Sequence, residues 1–306
     1  MSSSSDALMD LIRQECATTA LPPVVAVAEA ARRRHGEGVV AVLFYGSCLR
    51  ESDDQGKMVD LYLLVESYRK VHPNRLIRLL NALLPPNVYY LEASFEERTI
   101  RAKYAIVELA QFEDLLSQAT FEPYFWARFA QPTVILSARD DGLRERIAAA
   151  LANACRTLLL ETAALLPPGA DVGQIWTRAF AESYATELRA EGSDRADALY
   201  RANAARYREV ASAILRQDGP LLLDGSDSAR RRAVGRWRRR RLLGKLLGIL
   251  RLVKAALTFE NGAAYLAWKI QRHSGVELHL TPWQKRHPVL ASSVLFWRVY
   301  RAGGFR

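Results

Sequence analysis

The stretch at residues 39–65 reads VVAVLFYGSCLRESDDQGKMVDLYLLV and decides the fold. It begins with a short apolar run, residues 39–45, which predicts a buried strand because glycines bound it on both sides. A polar loop at residues 50–57 follows, and residues 58–65 predict a second buried strand. The stretch therefore predicts two neighbouring core strands joined through a glycine-serine corner.

Three residues in this stretch, Gly46, Ser47 and Asp60, have the properties expected of a phosphate and metal site. Gly46 has no Cβ, so a triphosphate can approach the backbone there, and the Ser47 hydroxyl can donate to phosphate oxygens. Asp60 on the second strand can hold Mg²⁺ against the same oxygens. An aspartate within an apolar strand is also costly to bury unpaired. For the pattern taken alone, a plain hairpin between two core strands is the alternative.

The rest of the chain predicts a mixed sheet followed by helices. Further strands are expected at residues 88–93, 98–109 and 133–136, with helices at 24–34, 67–84, 111–117 and 121–129. From residue 142 onward the pattern is helical. We therefore expect an α/β (α+β) fold in three parts: a sheet domain at 1–140, a mainly helical domain at 141–220, with a winged-helix type as one alternative, and a basic amphipathic region at 221–306.

The formal net charge of +10 is concentrated near the carboxyl terminus. Arginines crowd residues 230–241, so this stretch is expected to bind a polyanion, either nucleic acid or anionic lipid. Leucines at helical spacing follow at residues 242–257. The combination predicts adsorption to an anionic membrane surface through Arg238, Arg239, Arg240, Arg241, Lys245 and Lys254. A core helix with a solvated basic face is the alternative.

Several classes of protein are disfavoured by the sequence. Cys16, Cys48 and Cys155 lack CxxC spacing, so neither a disulfide framework nor a zinc site is expected. Asp6 and Asp10 precede the first basic residue, unlike the pattern of a secretory or transit peptide. No stretch reaches the roughly 20 apolar residues of a membrane-spanning helix. We expect a cytoplasmic protein without a transmembrane helix, peripheral on the inner face of the cell membrane.

The order of strand, Gly-Ser, loop and acidic strand resembles the signature of the DNA polymerase beta-like nucleotidyltransferase superfamily. The usual pattern has two acidic residues that alternate along the second strand, whereas this chain has Asp60 and then Tyr62. A single aspartate after Tyr-Gly-Ser resembles the mitochondrial translocator-assembly-and-maintenance type of phosphatidate cytidylyltransferase, a CDP-diacylglycerol synthase. In that family the single aspartate is a mark of the subfamily.

The resemblance continues along the chain in the same order. NVYY at residues 87–90 is similar to the family's GVYY, and RAKYAI at 101–106 is similar to its KYGVI strand. WARFAQPT at 126–133 is similar to AGRLxKPV, and SYATELR at 183–189 is similar to SYxGDFR. The chain departs from the family at Cys48 and Thr186, which replace glycine, and at Glu187, which replaces aspartate. These departures leave the acceptor less well defined than the nucleotidyl chemistry.

The resemblance implies that the chain transfers cytidylate from CTP to phosphatidic acid, using Mg²⁺, and releases pyrophosphate. It implies metal and catalytic roles for Asp60 and Glu187. Lysine and arginine suit phosphates, so Lys103, also a catalytic candidate, and Arg128 are expected to reach the triphosphate. The nucleotide contacts expected are Tyr45, Gly46, Ser47, Lys103 and Arg128. A surface salt bridge is the alternative for Lys103, Arg128 and Glu187.

Two other functions stay open. The acceptor could be a nucleic acid, which is disfavoured but compatible with the basic charge. The chain could also be a non-catalytic membrane adaptor on the same fold, because Tyr62 stands where a second acid is usual. An ionised lipid phosphate needs no strong base, so none of the five histidines is expected in the chemistry.

Overall fold

The computed structural model describes residues 4–51, 57–167, 169–188, 193–218 and 227–258. Five strands in this part form one mixed sheet in the order β3-β4-β2-β1-β5, in which β2 and β4 are parallel and the other neighbours are antiparallel. The strands are β1 (Val39–Tyr45), β2 (Met58–Val65), β3 (Asn87–Phe95), β4 (Arg98–Glu108) and β5 (Thr133–Ala138). The α/β class is confirmed. The expected bounds of β1 and β2 match, and those of the other strands shift by two residues or fewer.

Helices cover the sheet and make up most of the described chain after it. Before residue 140 they are α1 (Ser4–Cys16), α2 (Pro22–His35), α3 (Ser47–Glu51), α4 (Tyr68–Val71), α5 (Arg75–Leu83), α6 (Leu109–Leu116) and α7 (Tyr124–Phe129). After it they are α8 (Asp141–Ala163), α9 (Val172–Ala185), α10 (Ser193–Ala202), α11 (Ala204–Asp218) and α12 (Asp227–Thr258). The single helix expected at 67–84 is two helices, because Pro73 forces an extended backbone on His72 and ends α4.

Each face of the sheet has its own core, because side chains alternate along a strand. On one face, Leu61 and Leu63 of β2 pack with Val24 of α2. On the other face, Tyr62 and Leu64 belong to a large cluster that includes buried residues of α1, α7, α8, α9, α11 and α12. The helical part of the chain is therefore packed directly on the face of the sheet that carries Tyr62.

The helical part is also tied to the sheet by a partly buried ion pair. Arg206 of α11 pairs with Glu15 of α1, and the Glu15 carboxylate accepts a hydrogen bond from the backbone amide of Thr133 on β5 at 3.1 Å. The expected division at residues 140 and 220 stays a prediction. Beyond Ala138 the described residues contain no strand, so they give no support to the winged-helix alternative.

The long helix α12 contains both the arginine run and most of the leucines. Positions at intervals of three or four residues along one side of the helix are buried or in contact: Trp237, Arg240, Gly244, Gly248, Arg251 and Lys254. Arg241, next to Arg240, also contacts the protein. The leucines face outward instead, since Leu242 and Leu252 are both 66% exposed. None of the helices in the described ranges is long and apolar enough to cross a membrane. Residues 221–226 and 259–306 of the basic region expected at 221–306 lie outside the described residues.

Candidate functional site

One row of residues runs across the whole sheet at the level of the glycine-serine corner. Tyr90 of β3 is registered with Lys103 of β4, Lys103 with Asp60 of β2, Asp60 with Tyr45 of β1, and Tyr45 with Thr133 of β5. Residues in register on neighbouring strands point to the same face. The fold therefore lines up these five residues, each with a polar group, in one row with Asp60 at its centre.

Asp60 and Lys103 form an ion pair within this row. The Lys103 ammonium lies 3.2 Å from Asp60 Oδ1, and the two side chains are 39% and 23% exposed, respectively. The pair is open enough for an anion or cation to reach it from solvent. Asp60 is therefore neither an orphaned buried charge nor a freely solvated one, and an incoming phosphate would meet both signs of charge.

Gly46 brings the backbone against the Asp60 carboxylate. Its φ is +94°, a conformation that side chains disfavour, and a Cβ built there would lie 2.8 Å from Asp60 Oδ2. Ser47 begins the short helix α3, and the buried thiol of Cys48 donates to the Met58 carbonyl at 3.2 Å, which ties α3 to β2. Glycine is thus required at position 46 by both the backbone angle and the close approach.

Tyr62, at the position where the resembled superfamily has a second acidic residue, lies in an aromatic environment. The side chain is buried, and its ring centroid lies 4.9 Å from that of Phe129 and 5.5 Å from that of Tyr45. Burial raises the pKa of Tyr62 well above its usual value. The hydroxyl accepts a hydrogen bond from Arg128 at 3.4 Å. Tyr62 therefore packs among aromatic rings and hydrogen-bonds Arg128, and it offers no carboxylate to a metal ion.

Arg128 and Glu187 lie near each other beside the Tyr62 ring. An oxygen of Glu187 lies 4.0 Å from the Arg128 guanidinium, and the Arg128 side chain also packs on the Tyr124 ring, 4.2 Å from its centroid. Glu187 is 41% exposed and follows the end of α9. Burial, together with the Asp60 charge, raises the pKa of Tyr45, so its hydroxyl keeps its proton. Tyr45 lies on the sheet and Glu187 follows α9, so both the sheet and the helical part contribute side chains to the site.

The residues present fit a magnesium ion only if the nucleotide supplies further ligands. In the described ranges no three His, Cys, Asp or Glu side chains cluster closely enough to hold a metal ion. Mg²⁺ in nucleotide enzymes is commonly held by one or two carboxylates together with substrate phosphates and water. Asp60 can supply one such carboxylate, and Glu187, which lies 4.0 Å from the Arg128 guanidinium, is the expected second one. A dedicated metal cage made of protein ligands alone does not form here.

The residues expected to contact lipid divide into two groups. Arg238, Arg239 and Lys245 are exposed. Arg240 is buried and donates to Glu161 at 2.8 Å, and buried Lys254 donates to the carbonyls of Leu84 and Pro86 and to Asn81 Oδ1. Arg241 is bonded to Glu182 at 2.6 Å. The prediction of lipid contact is therefore wrong for Arg240 and Lys254, because protein oxygens already bind their charged groups. Arg241 has one hydrogen bond to Glu182 and is only partly exposed.

Sequence reasoning missed two contributors to the site, Tyr124 and Arg251. The guanidinium of Arg251 lies 4.3 Å from the centroid of the same Tyr124 ring that contacts Arg128. The spacing of Tyr124 and Arg128, one helical turn apart, is a signal that was available in the sequence. Nothing local in the sequence links Arg251 to Tyr124, because the two lie on elements far apart in the chain.

Fold and site together define an α/β protein in which Asp60, on the central strand of a mixed sheet, lies against the Gly46 backbone and pairs with Lys103. No family model matches the chain, and no curated protein matches it significantly. Among solved structures, a nucleotidyltransferase-like protein from Exiguobacterium sibiricum 255-15 is similar with a TM-score of 0.28 and 13% identity, covering 91% of each chain. A likeness at that score carries no weight for function.

Proposed function

We propose that the protein is a Mg²⁺-dependent nucleotidyltransferase. The observation that carries this proposal is the approach of the Gly46 backbone to Asp60, where a Cβ would come within 2.8 Å of the carboxylate. A carboxylate held against such a corner lets phosphate oxygens contact the backbone and a carboxylate-bound cation together. Lys103 beside Asp60, and Arg128 beside Glu187, supply positive charge for the same anion.

The specific reaction that we propose is transfer of cytidylate from CTP to phosphatidic acid, giving CDP-diacylglycerol and pyrophosphate. The family resemblance of the segments around Asp60, Lys103 and Arg128 supports this choice of substrates. The helix α12 supports an acceptor within an anionic membrane, because exposed Arg238 and Arg239 precede the outward-facing leucines on the same helix. Membrane contact in this proposal is peripheral and uses the outer side of α12.

The chemistry requires positioning more than proton transfer. The phosphate of phosphatidic acid is ionised near neutral pH, so its oxygen can attack the α-phosphorus of CTP without a side-chain base while the bond to pyrophosphate breaks. Asp60 and Glu187 would hold Mg²⁺, which when bound neutralises charge on the triphosphate. Lys103 and Arg128 would bind the phosphate oxygens. Tyr45 keeps its proton and can donate a hydrogen bond to the same anion.

An assay for CDP-diacylglycerol tests the proposal. The protein is incubated with labelled CTP, Mg²⁺ and vesicles containing phosphatidic acid, and the lipid phase is analysed. We expect product from the wild type and a loss of about 100-fold or more in kcat for Asp60→Asn. Glu66→Gln is the matched control, because Glu66 is a half-exposed carboxylate paired with Lys70. A wild type that yields no product with any nucleotide and several lipid phosphates would refute the proposal.

A nucleic-acid acceptor is the second candidate, and the exposed arginines of α12 favour it. Arg230, Arg231 and Arg232 are exposed together with Arg238 and Arg239. This alternative predicts binding to RNA or DNA that weakens steeply with salt, nucleotide addition to a polynucleotide, and little binding to vesicles. Vesicle binding without pyrophosphate release, unchanged by Asp60→Asn, would instead indicate a non-catalytic adaptor.

A further inference from the structure

One side of α12 packs on the segment that carries Glu187. A Cβ built on Gly244 would lie 2.7 Å from the carbonyl oxygen of Thr186, and one on Gly248 would lie 2.9 Å from the side chain of Leu188. The two glycines therefore let the helix backbone lie directly against the residues on either side of Glu187. Any side chain at position 244 would push on backbone, which cannot rotate away as a side chain can.

One helical turn beyond Gly248, Arg251 contacts Tyr124, the ring on which Arg128 packs. Its guanidinium lies 4.3 Å from the centroid of the Tyr124 ring, and Arg128 lies 4.2 Å from the same centroid. Arg251 is itself fixed by two bonds to Glu122, at 2.5 and 2.7 Å, and by one to the Pro85 carbonyl at 3.0 Å. Tyr124 thus links an anchored arginine to Arg128.

The anchoring of Arg251 is well suited to holding an aromatic ring in place. The side chains of Arg251 and Glu122 are only 15% and 11% exposed, and a two-bond arginine-carboxylate contact fixes the plane of the guanidinium. A guanidinium packed on a tyrosine face gains from both cation–π attraction and stacking. Removing the fork would leave Tyr124, and with it Arg128, free to change orientation.

We propose that α12 positions both members of the Arg128–Glu187 pair, with Arg251 acting as a positioning residue through Tyr124. The inference rests on the proposed function, since it assigns Arg128 to the nucleotide. It places α12 in the active site, whereas the sequence of this helix indicated only attachment to a polyanion. The inner face of α12 serves the nucleotide, and its outer face is left for the membrane.

Arg251→Lys is the central variant, because lysine keeps a positive charge opposite Glu122 but loses the planar fork. We expect the dissociation constant for Mg²⁺–CTP, measured by calorimetry, to rise by about fivefold to tenfold, while the urea midpoint changes little. Arg146→Lys is the matched control, because Arg146 also makes two bonds to a carboxylate, Glu113, away from the site. The control should bind Mg²⁺–CTP as the wild type does.

A double-mutant cycle separates positioning from general loosening. If Arg251 acts through Arg128, then Arg128→Lys combined with Arg251→Lys should lose no more affinity than Arg128→Lys alone. Additive losses, or an Arg251→Lys protein with unchanged affinity, would overturn the inference. A wild type that binds no nucleotide would instead overturn the proposed function and the inference with it.

The glycine contact gives an independent test on the same helix. Gly244→Ala should lower both affinity and kcat, whereas Gly235→Ala should not, because a Cβ at position 235 meets nothing within 4 Å. Both changes raise helix propensity equally, so the comparison isolates the contact with Thr186. Equal activity of the two variants would show that the position of Glu187 does not depend on α12.

Discussion

Replacing Gly46 with alanine is expected to damage the site more than the fold. The φ of +94° costs an alanine about 1–2 kcal/mol, of which lost freedom in the unfolded chain offsets about half. The added methyl would lie 2.8 Å from Asp60 Oδ2, whereas carbon packs at about 3.5 Å or more. Asp60 must therefore move by roughly 0.7 Å, a displacement expected to lower kcat by about 10-fold to 100-fold.

The matched control for this prediction is Gly169→Ala. Gly169 has a φ of +84°, and a Cβ there would meet nothing within 4 Å, so the change carries a backbone cost with no contact. Urea unfolding should show a loss of about 1 kcal/mol for both variants. The CDP-diacylglycerol assay should show lost activity only for Gly46→Ala. Wild-type activity in Gly46→Ala would refute the claim that the corner positions Asp60.

Three further predictions concern the supports of the site. Trp237→Ala should lower the free energy of unfolding by about 3–5 kcal/mol in urea, since a fully buried ring and its bond to the Glu161 carbonyl are lost; a loss under about 1 kcal/mol would contradict this. Arg206→Met should cost about 3 kcal/mol by the same measurement, because Glu15 is left buried and unpaired, while Glu15→Gln with Arg206→Met should recover part of it. Burial, with the nearby Arg251 charge, lowers the pKa of Lys254 to about 7. The unfolded chain then holds more protons above that pH, so stability should rise by about 2 kcal/mol from pH 7 to 9, and Lys254→Met should remove this slope.

The sheet was predictable because its central strands are apolar runs with clear ends. β1 lies between glycines, and β2 follows a polar loop, so both matched their expected bounds. The break between α4 and α5 could also have been predicted from Pro73, which the single helix expected at 67–84 did not take into account. Register was not predictable, because the pairing of Asp60 with Lys103 depends on how two strands far apart in the chain align.

The inner face of α12 could not be predicted from its sequence pattern. Most of the leucines and both Arg238 and Arg239 are exposed, whereas Arg240 and Lys254, which were expected to contact lipid, are buried. The buried stripe instead consists of an aromatic ring, two glycines and cations that bond to carboxylates and carbonyls, such as Arg240 and Lys254. Because these residues do not form a hydrophobic pattern in the sequence, the buried side of α12 can be identified only from the residues that contact it in the structure. Arg251 was missed as a site residue for the same reason.

The aromatic environment of Tyr62 also determines how the centre of the sheet can move. Its ring packs against both Phe125 and Phe129, which belong to the main core, so β2 next to Asp60 cannot open unless that core opens too. Backbone amides of β2 should consequently exchange with deuterium only through global unfolding. Room for substrates must then come from the surrounding segments, such as α3 and the end of α9, whose amides should exchange far sooner.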